Sequence, residues 1–366
     1  MKTMTARERL FAALEGHSTD RVPIWLLFPW HEAPYYVDVR HHPAYQPIHE
    51  LAQQCCITLN RRHLGAPLYR SDVEFRQADS SGSCHSLVWP GGRHEWPQGC
   101  KMLVEDADLE KAYEVPIEDD EAVLRPALER AAAIIRRERE EFPADAGAMM
   151  LDLSEPIGHI YHSSNLESLS IWSVTHAELV EQMLENQMRR LRIMYRFALE
   201  NDLADVYFFV GSELAAPPFV GLETFERWIV PYASELIELV RSYGKKTIQH
   251  FHGHIREVLP GFRQMNPDAL HTIEAPPVGN CTWSEAYQAL GNRMTLIGNV
   301  QYDDFRSMSE VAMRRAVRAV LEECAGQRLI LSPSAGPYDP DPPATLINNY
   351  RIFIDEAWRH GAWEVG

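Results

Sequence analysis

KKTIQHFHGHIREVLPGFRQMNPDALHTIE (245–274) is the stretch on which the fold turns. KKTIQHF (245–251) has the length and apolar centre of a buried strand, and Gly253 lets the chain leave it tightly. The next residues read as a helix over roughly 255–265, with Ile255, Val258, Leu259 and Phe262 at helical spacing. ALHTIE (269–274) begins a second buried strand. Strand, helix and strand in succession make a right-handed unit with parallel strands.

The same alternation extends in both directions. VPIWLLF (22–28), CCITL (55–59), MMLDL (149–153), DVYFFV (205–210), MTLIGN (294–299) and RLILS (328–332) complete a set of eight strands. Amphipathic helices are expected around 45–54 and over 175–200, 222–243, 282–290, 307–325 and 342–359. A first helix, ARERLFAALE, opens with the capping box Thr5–Glu8 and stops at Gly16. Eight alternating strands predict a (β/α)8 barrel, with a doubly wound sheet as the competing arrangement. Residues 73–104 break the pattern, with turn residues SSG and PGG between strand-like pieces, and read as an inserted hairpin or small meander. No repeat or linker appears, so residues 1–366 read as one domain.

Composition narrows the function. The chain has 366 residues and a formal charge of −17, from 35 Lys and Arg against 52 Asp and Glu. That balance argues against nucleic acid or an anionic membrane as partner, because phosphates require a basic face. No apolar window is long enough to span a bilayer, and the start lacks a secretory h-region, so a cytoplasmic location is expected. Six cysteines show no repeated CxxC spacing, which suggests neither a disulfide framework nor a cysteine zinc finger. Cys55 and Cys56 lie in an apolar run and read as core, and EDDE (118–121) reads as the solvated start of a helix. There is no GxGxxG, Walker A or GxSxG sequence.

In parallel α/β folds the working residues gather where strands end. VGSE places Glu213 at the edge, QHFHGH places His250 and His252, HTIE places His271 and Glu274, and GNVQYDD places Asn299, Gln301 and Asp303. Side chains two apart on a strand point the same way, so His250 and His252 can meet one ion. Glu274 could add an oxygen, and two His with one Glu form a set used by catalytic zinc. A buried His pair satisfied by carbonyls, with Glu274 in an ordinary ion pair, would give the same pattern. His159 and His162 either line the same mouth or sit on an exposed loop. Arg61, Arg62 and Arg70 either bind a substrate carboxylate or serve as solvated charge. Trp25, Phe28 and Trp30 either wall a donor site or pack in the core.

At these residues the sequence resembles the uroporphyrinogen decarboxylase superfamily. The resemblance is carried by TARERLFAALEGHSTDRVPIW (5–25), FERWIVPY (225–232), GKKTIQHFHGHIREVLP (244–260) and LILSPSAGPYDPDPPATLINNYRIFIDEA (329–357), in the family's order. It implies a (β/α)8 barrel with its active site at the carboxyl mouth. The family's decarboxylases carry an Arg-rich motif after the first strand, where this chain reads IWLLFPWHEAPYY with no Arg before Arg40. They also carry a strand-end Asp where this chain has VGSE. The family's other branch comprises zinc-dependent methyltransferases that work with corrinoids through a His-x-Cys pair and a later Cys. His250 matches the first ligand, His252 stands where Cys is usual, and Ser334 stands near the last Cys. HTIE also resembles a zinc-ligating strand of cobalamin-independent methionine synthase, which points to Glu274.

The resemblance therefore implies a zinc-dependent methyltransferase, with zinc on His250, His252 and Glu274. Its cobalamin-type corrinoid would come from a partner protein or free in solution. Imidazole and carboxylate form a harder site than thiolate, favouring a methoxylated donor. Tyr302, Asp303 and Glu213 are the candidates for proton handling. The alternatives are a metal-free carboxy-lyase using the two His as acid and base, and a non-catalytic tetrapyrrole- or corrinoid-binding protein.

Overall fold

Residues 3–77 and 84–362 are described by a computed structural model. In chain order its strands are β1 (Thr58–His63), β2 (Glu74–Arg76), β3 (Cys84–Trp89), β4 (Gly92–Pro97), β5 (Gly147–Asp152), β6 (Val206–Phe209), β7 (Lys246–His250), β8 (Ala269–His271), β9 (Thr295–Val300) and β10 (Leu329–Pro333). Seven of them form one sheet in the order β1-β5-β6-β7-β8-β9-β10, with every neighbouring pair parallel. β2, β3 and β4 form a separate antiparallel sheet. The inserted meander is thus present, although its SSG turn at 80–82 lies outside the described residues.

The eighth strand differs from expectation. VPIWLLF makes only single parallel bridges, Ile24 to Leu331 and Trp25 to Ile57. The Trp25 N–H donates to Leu331 O at 2.9 Å, and the Ile57 N–H donates to Ile24 O at 2.8 Å. The segment still stands between β10 and the start of β1 and closes the barrel there. Two local features keep it from running as a ladder: Pro23 has no N–H to donate, and Leu27 sits at φ 60°, outside the extended region.

Strand alternation sorts the core. Leu59, Ala148, Met150, Val206, Phe208, Ile248, Ala269, Ile297 and Ile330 share one buried cluster with Trp25 and with Leu10, Ala13 and Leu14 of the first helix. These residues fill the barrel, and the helix plugs its lower end. Their strand neighbours, among them Met149, Leu151, Tyr207, Phe209, Leu270 and Leu331, join the larger cluster under the outer helices. The first helix, Ala6–Glu15, has the predicted capping box, and Gly16 takes φ 74° to end it. Asp120 caps the helix Glu121–Glu141 by accepting the Ala122 N–H, so EDDE does lead into a helix, although its Glu118 is buried rather than solvated. The helix expected over 222–243 is interrupted at Ile229, with Leu222–Trp228 before it and the proline-started Val230–Ser242 after it. The helices Asp106–Glu114, Ile157–Ser163, Leu166–Thr175 and Tyr302–Ser307 add to those expected. Among the described residues, no helix is long and apolar enough to cross a membrane.

Candidate active site

One step of strand period above the apolar filling, the inward positions turn polar. Leu59 is followed by Arg61, Met150 by Asp152, Ile248 by His250 and Ala269 by His271. These positions sit at the carboxyl ends of β1, β5, β7 and β8. Above them opens a cavity of about 730 Å³ lined by Arg61, Asp152, Glu213, His250, His252 and Ser334, among others.

The histidines form a relay. His250 Nδ1 lies 2.7 Å from His271 Nδ1, and His271 Nε2 lies 3.2 Å from Pro333 O. A carbonyl only accepts, so the Nε2–H of His271 donates to it. A neutral His271 then has a bare Nδ1, and His250 must donate its own Nδ1–H there. His250 is left with an unprotonated Nε2. Burial, and then the charge of neighbouring His252, hold His250 well below the usual histidine range. Burial likewise pushes His271 down to about 3. Both rings are neutral and stacked, with centroids 4.9 Å apart.

His252 behaves oppositely. Its Nδ1 lies 3.3 Å from Glu274 Oε1, while Glu274 Oε2 accepts the Gly253 N–H at 2.6 Å. Burial pulls His252 down, but its bond to Glu274 and the charges of Glu274 and Glu213 outweigh that and raise it. Burial would raise Glu274, and the same pairing holds it below the usual carboxylate range. Glu213 lines the cavity, and its Oε2 is buried without a hydrogen-bond partner. Burial raises its carboxyl. Deeper in, Glu155 accepts from Gln249 at 3.0 Å, and burial pushes it up to about 8.

Arg61 does reach the cavity, but its Nε donates to Asp152 at 3.2 Å and its Nη1 to Tyr36 Oη at 2.7 Å. Arg62, one residue on, faces outward and pairs with Glu138, and Arg70 pairs with Asp72 at an exposed turn. His162 lines the cavity, whereas His159 packs against Tyr69. Trp25, Phe28 and Trp30 belong to the packing, Trp25 inside the barrel and Phe28 against Tyr350. Leu27, Tyr36 and Tyr338 form the wall instead. Tyr302 donates to Asp339 Oδ2 at 2.6 Å and Asp303 is exposed, and neither lines the cavity. Ser334 donates to Gln301 Oε1 at 3.0 Å.

Arg190, on the helix Ala177–Glu200, is a cavity residue that strand-end reasoning misses. Its signal is helical: Met183, Gln187, Arg190, Leu191 and Met194 share the buried face.

The chemistry of this corner fits a zinc ion in kind. His250 keeps a lone pair on Nε2 with its other nitrogen hydrogen-bonded, as metal-bound imidazoles do. His252 Nδ1 and Glu274 Oε1 are 3.3 Å apart, about the separation of two ligands on one tetrahedral zinc. Among the described residues, however, no three His, Cys, Asp or Glu side chains stand together as a ready-made metal set. Binding would need side-chain rotation.

No curated protein matches the sequence. Among solved structures, the fold is similar over 97% of this chain to a methyltransferase from Methanosarcina mazei, of which it covers 98%, with 18% identity and a TM-score of 0.60. It is also similar over 63% of this chain to D-psicose 3-epimerase from Clostridium cellulolyticum H10, covering 90% of it, at 8% identity and a TM-score of 0.31. The first likeness agrees with the barrel, and the second is too slight to add to it. Residues 159–360, which hold β6 to β10 and the whole histidine corner, match the sequence profile described as uroporphyrinogen decarboxylase (URO-D). That span exceeds half of the chain, and with the barrel and its carboxyl-end site in place the chain belongs to the uroporphyrinogen decarboxylase family.

Proposed function

We propose that the protein is a methyltransferase that takes a methyl group from a small methoxylated donor in the cavity and passes it to a corrinoid. The corrinoid is free cobalamin or the cofactor of a partner protein. The observation that carries this reading is the relay from Pro333 through His271 to His250. It keeps an unprotonated imidazole nitrogen beside the His252–Glu274 pair at the cavity. The likeness of the whole chain to a methyltransferase supports the reaction class.

His250, His252 and Glu274 would hold zinc, which supplies Lewis acidity towards the donor oxygen. The chain's own groups do the rest. In the transfer the C–O bond breaks with its electron pair on oxygen, that oxygen takes a proton, and the methyl carbon goes to a reduced acceptor. Glu213 would supply the proton: it lines the cavity, burial raises its carboxyl, and its buried Oε2 has no hydrogen-bond partner among the described residues. Glu213 takes this role in preference to Tyr302 and Asp303, which do not line the cavity. Leu27, Tyr36 and Tyr338 exclude water from one wall.

Elemental analysis of protein purified without a histidine tag tests the zinc assignment. One zinc per chain is expected, and His252→Ala should lose most of it. Absence of metal in the wild type, or an unchanged content in the variant, would remove zinc from the proposal. Methyl transfer to reduced cobalamin, followed by absorbance, tests the reaction. Decarboxylation of uroporphyrinogen at enzymatic speed would overturn the class, since IWLLFPWHEAPYY lacks the arginine motif.

A further inference from the structure

Two arginines line the cavity, and they differ in one respect. Arg61 is paired with Asp152. Arg190 has no acidic partner among the described residues, although it is only 8% exposed. Its Nε donates to Pro67 O at 3.0 Å and its Nη2 to Ala66 O at 2.8 Å. These two carbonyls fix the plane of the guanidinium and leave Nη1 without an acceptor among the described residues. Burial pushes Arg190 down to about 10, so it still carries its charge at neutral pH. A desolvated cation without a counter-ion is costly, and proteins rarely keep one unless something else neutralises it.

A second group points the same way. His63 lines the cavity, and its Nε2 is buried with no hydrogen-bond partner. The nearby acid lies 3.8 Å from the other ring nitrogen, Nδ1, and is already committed: Asp152 binds Arg61 and accepts the Ser154 N–H at 3.0 Å. One guanidinium edge and one imidazole nitrogen match a group with one negative charge and two oxygens. Leu64, Leu153, Met194 and Phe208 supply apolar lining of the same cavity, which also touches His250 and His252.

We infer that the substrate is a small carboxylate whose anionic end is held by Arg190 with His63 and whose apolar body extends towards the histidine corner. The identity of the reacting end rests on the methyltransferase reading, but anion binding does not.

Direct calorimetric titration of the full chain, without corrinoid, tests this with 4-methoxybenzoate, its neutral methyl ester and 4-methoxybenzenesulfonate. The carboxylate should bind, and the ester should bind roughly tenfold more weakly or worse. Arg190→Gln should weaken the carboxylate by roughly tenfold or more and leave the ester unchanged. Equal binding of carboxylate and ester, no binding of the carboxylate, tighter binding of the sulfonate, or equal loss of both ligands in the variant would each overturn the inference. If Arg190→Gln does not fold, Arg190→Lys replaces it: selective weakening of the carboxylate supports the site, and equal weakening of both ligands overturns it. Carboxylate binding without methyl transfer would count against the proposed reaction alone. Transfer from the ester but not from the carboxylate would count against this inference alone.

Discussion

On the β7–β8 side of the cavity, His250 pairs with His271 and His252 with Glu274, and the Nε2 of His250 stays bare. On the β1–β5 side, Arg61 and Asp152 do the same, while Arg190 beside them contacts only carbonyls. The paired groups set geometry and protonation: each needs its neighbour, and removing either strands the other in a poorly solvated place. The unpaired group has a rigid position and no internal purpose that its neighbours share. A set in which every polar group has a protein partner, as in Arg61–Asp152, marks scaffolding, and one left open, as at Arg190 Nη1 or the bare Nε2 of His250, marks where a ligand or metal could complete it.

Three experiments can break or sharpen this contrast, and the largest effect belongs to the closed pair. Arg61→Met leaves the Asp152 carboxylate buried without its cation, which should destabilise the protein by about 3–5 kcal/mol in chemical denaturation. Adding Asp152→Asn should restore much of that. If the single and double variants unfold at the same denaturant concentration, the two residues are not a unit.

Glu155 comes next. Its carboxyl titrates from about 4.5 when unfolded to about 8 when folded. The folded protein keeps its proton over that interval while the unfolded chain releases it. Stability is therefore unaffected below pH 4.5 and declines as pH rises towards 8. Glu155→Gln removes the dependence. It should be more stable than wild type by on the order of 3 kcal/mol at pH 7 and equal to it near pH 4. Melting curves at the two pH values decide it, and a constant difference between the proteins would contradict burial as the cause.

The smallest effect is expected where a charge has no partner. Arg190→Met loses two hydrogen bonds to carbonyls but also relieves a desolvated cation. The net change in unfolding free energy should stay near about 1 kcal/mol. A loss as large as that of Arg61→Met would mean that Arg190 is structural after all.

Much of this architecture is readable in the sequence because the strand period is simple. The same alternation that puts Ile248 inside the barrel puts His250 and His252 at its mouth. It also sends the adjacent Arg61 and Arg62 to opposite faces. What the sequence withholds is partner choice. Arg189, Arg190 and Arg192 look interchangeable in MRRLRIM, yet Arg189 binds Asp119 and Arg192 binds Glu235. Only Arg190 turns inward, because it alone falls on the buried face of the helix. The segment VPIWLLF departs from a full strand for a related reason. Apolar content reports burial, whereas ladder pairing depends on Pro23 and on the conformation of Leu27.

The seam at Ile24 and Trp25 has a mechanical consequence. Every other junction of the barrel is a multi-residue ladder, but this one hangs on single bridges to Leu331 and Ile57. It is the joint at which the cylinder is most compliant, and its amides should be the first of the barrel wall to exchange with deuterium. Trp25 lies on that joint with its ring 5.3 Å from His271. The seam of the barrel with the fewest ladder bonds therefore lies against the relay that sets which nitrogen of His250 is bare.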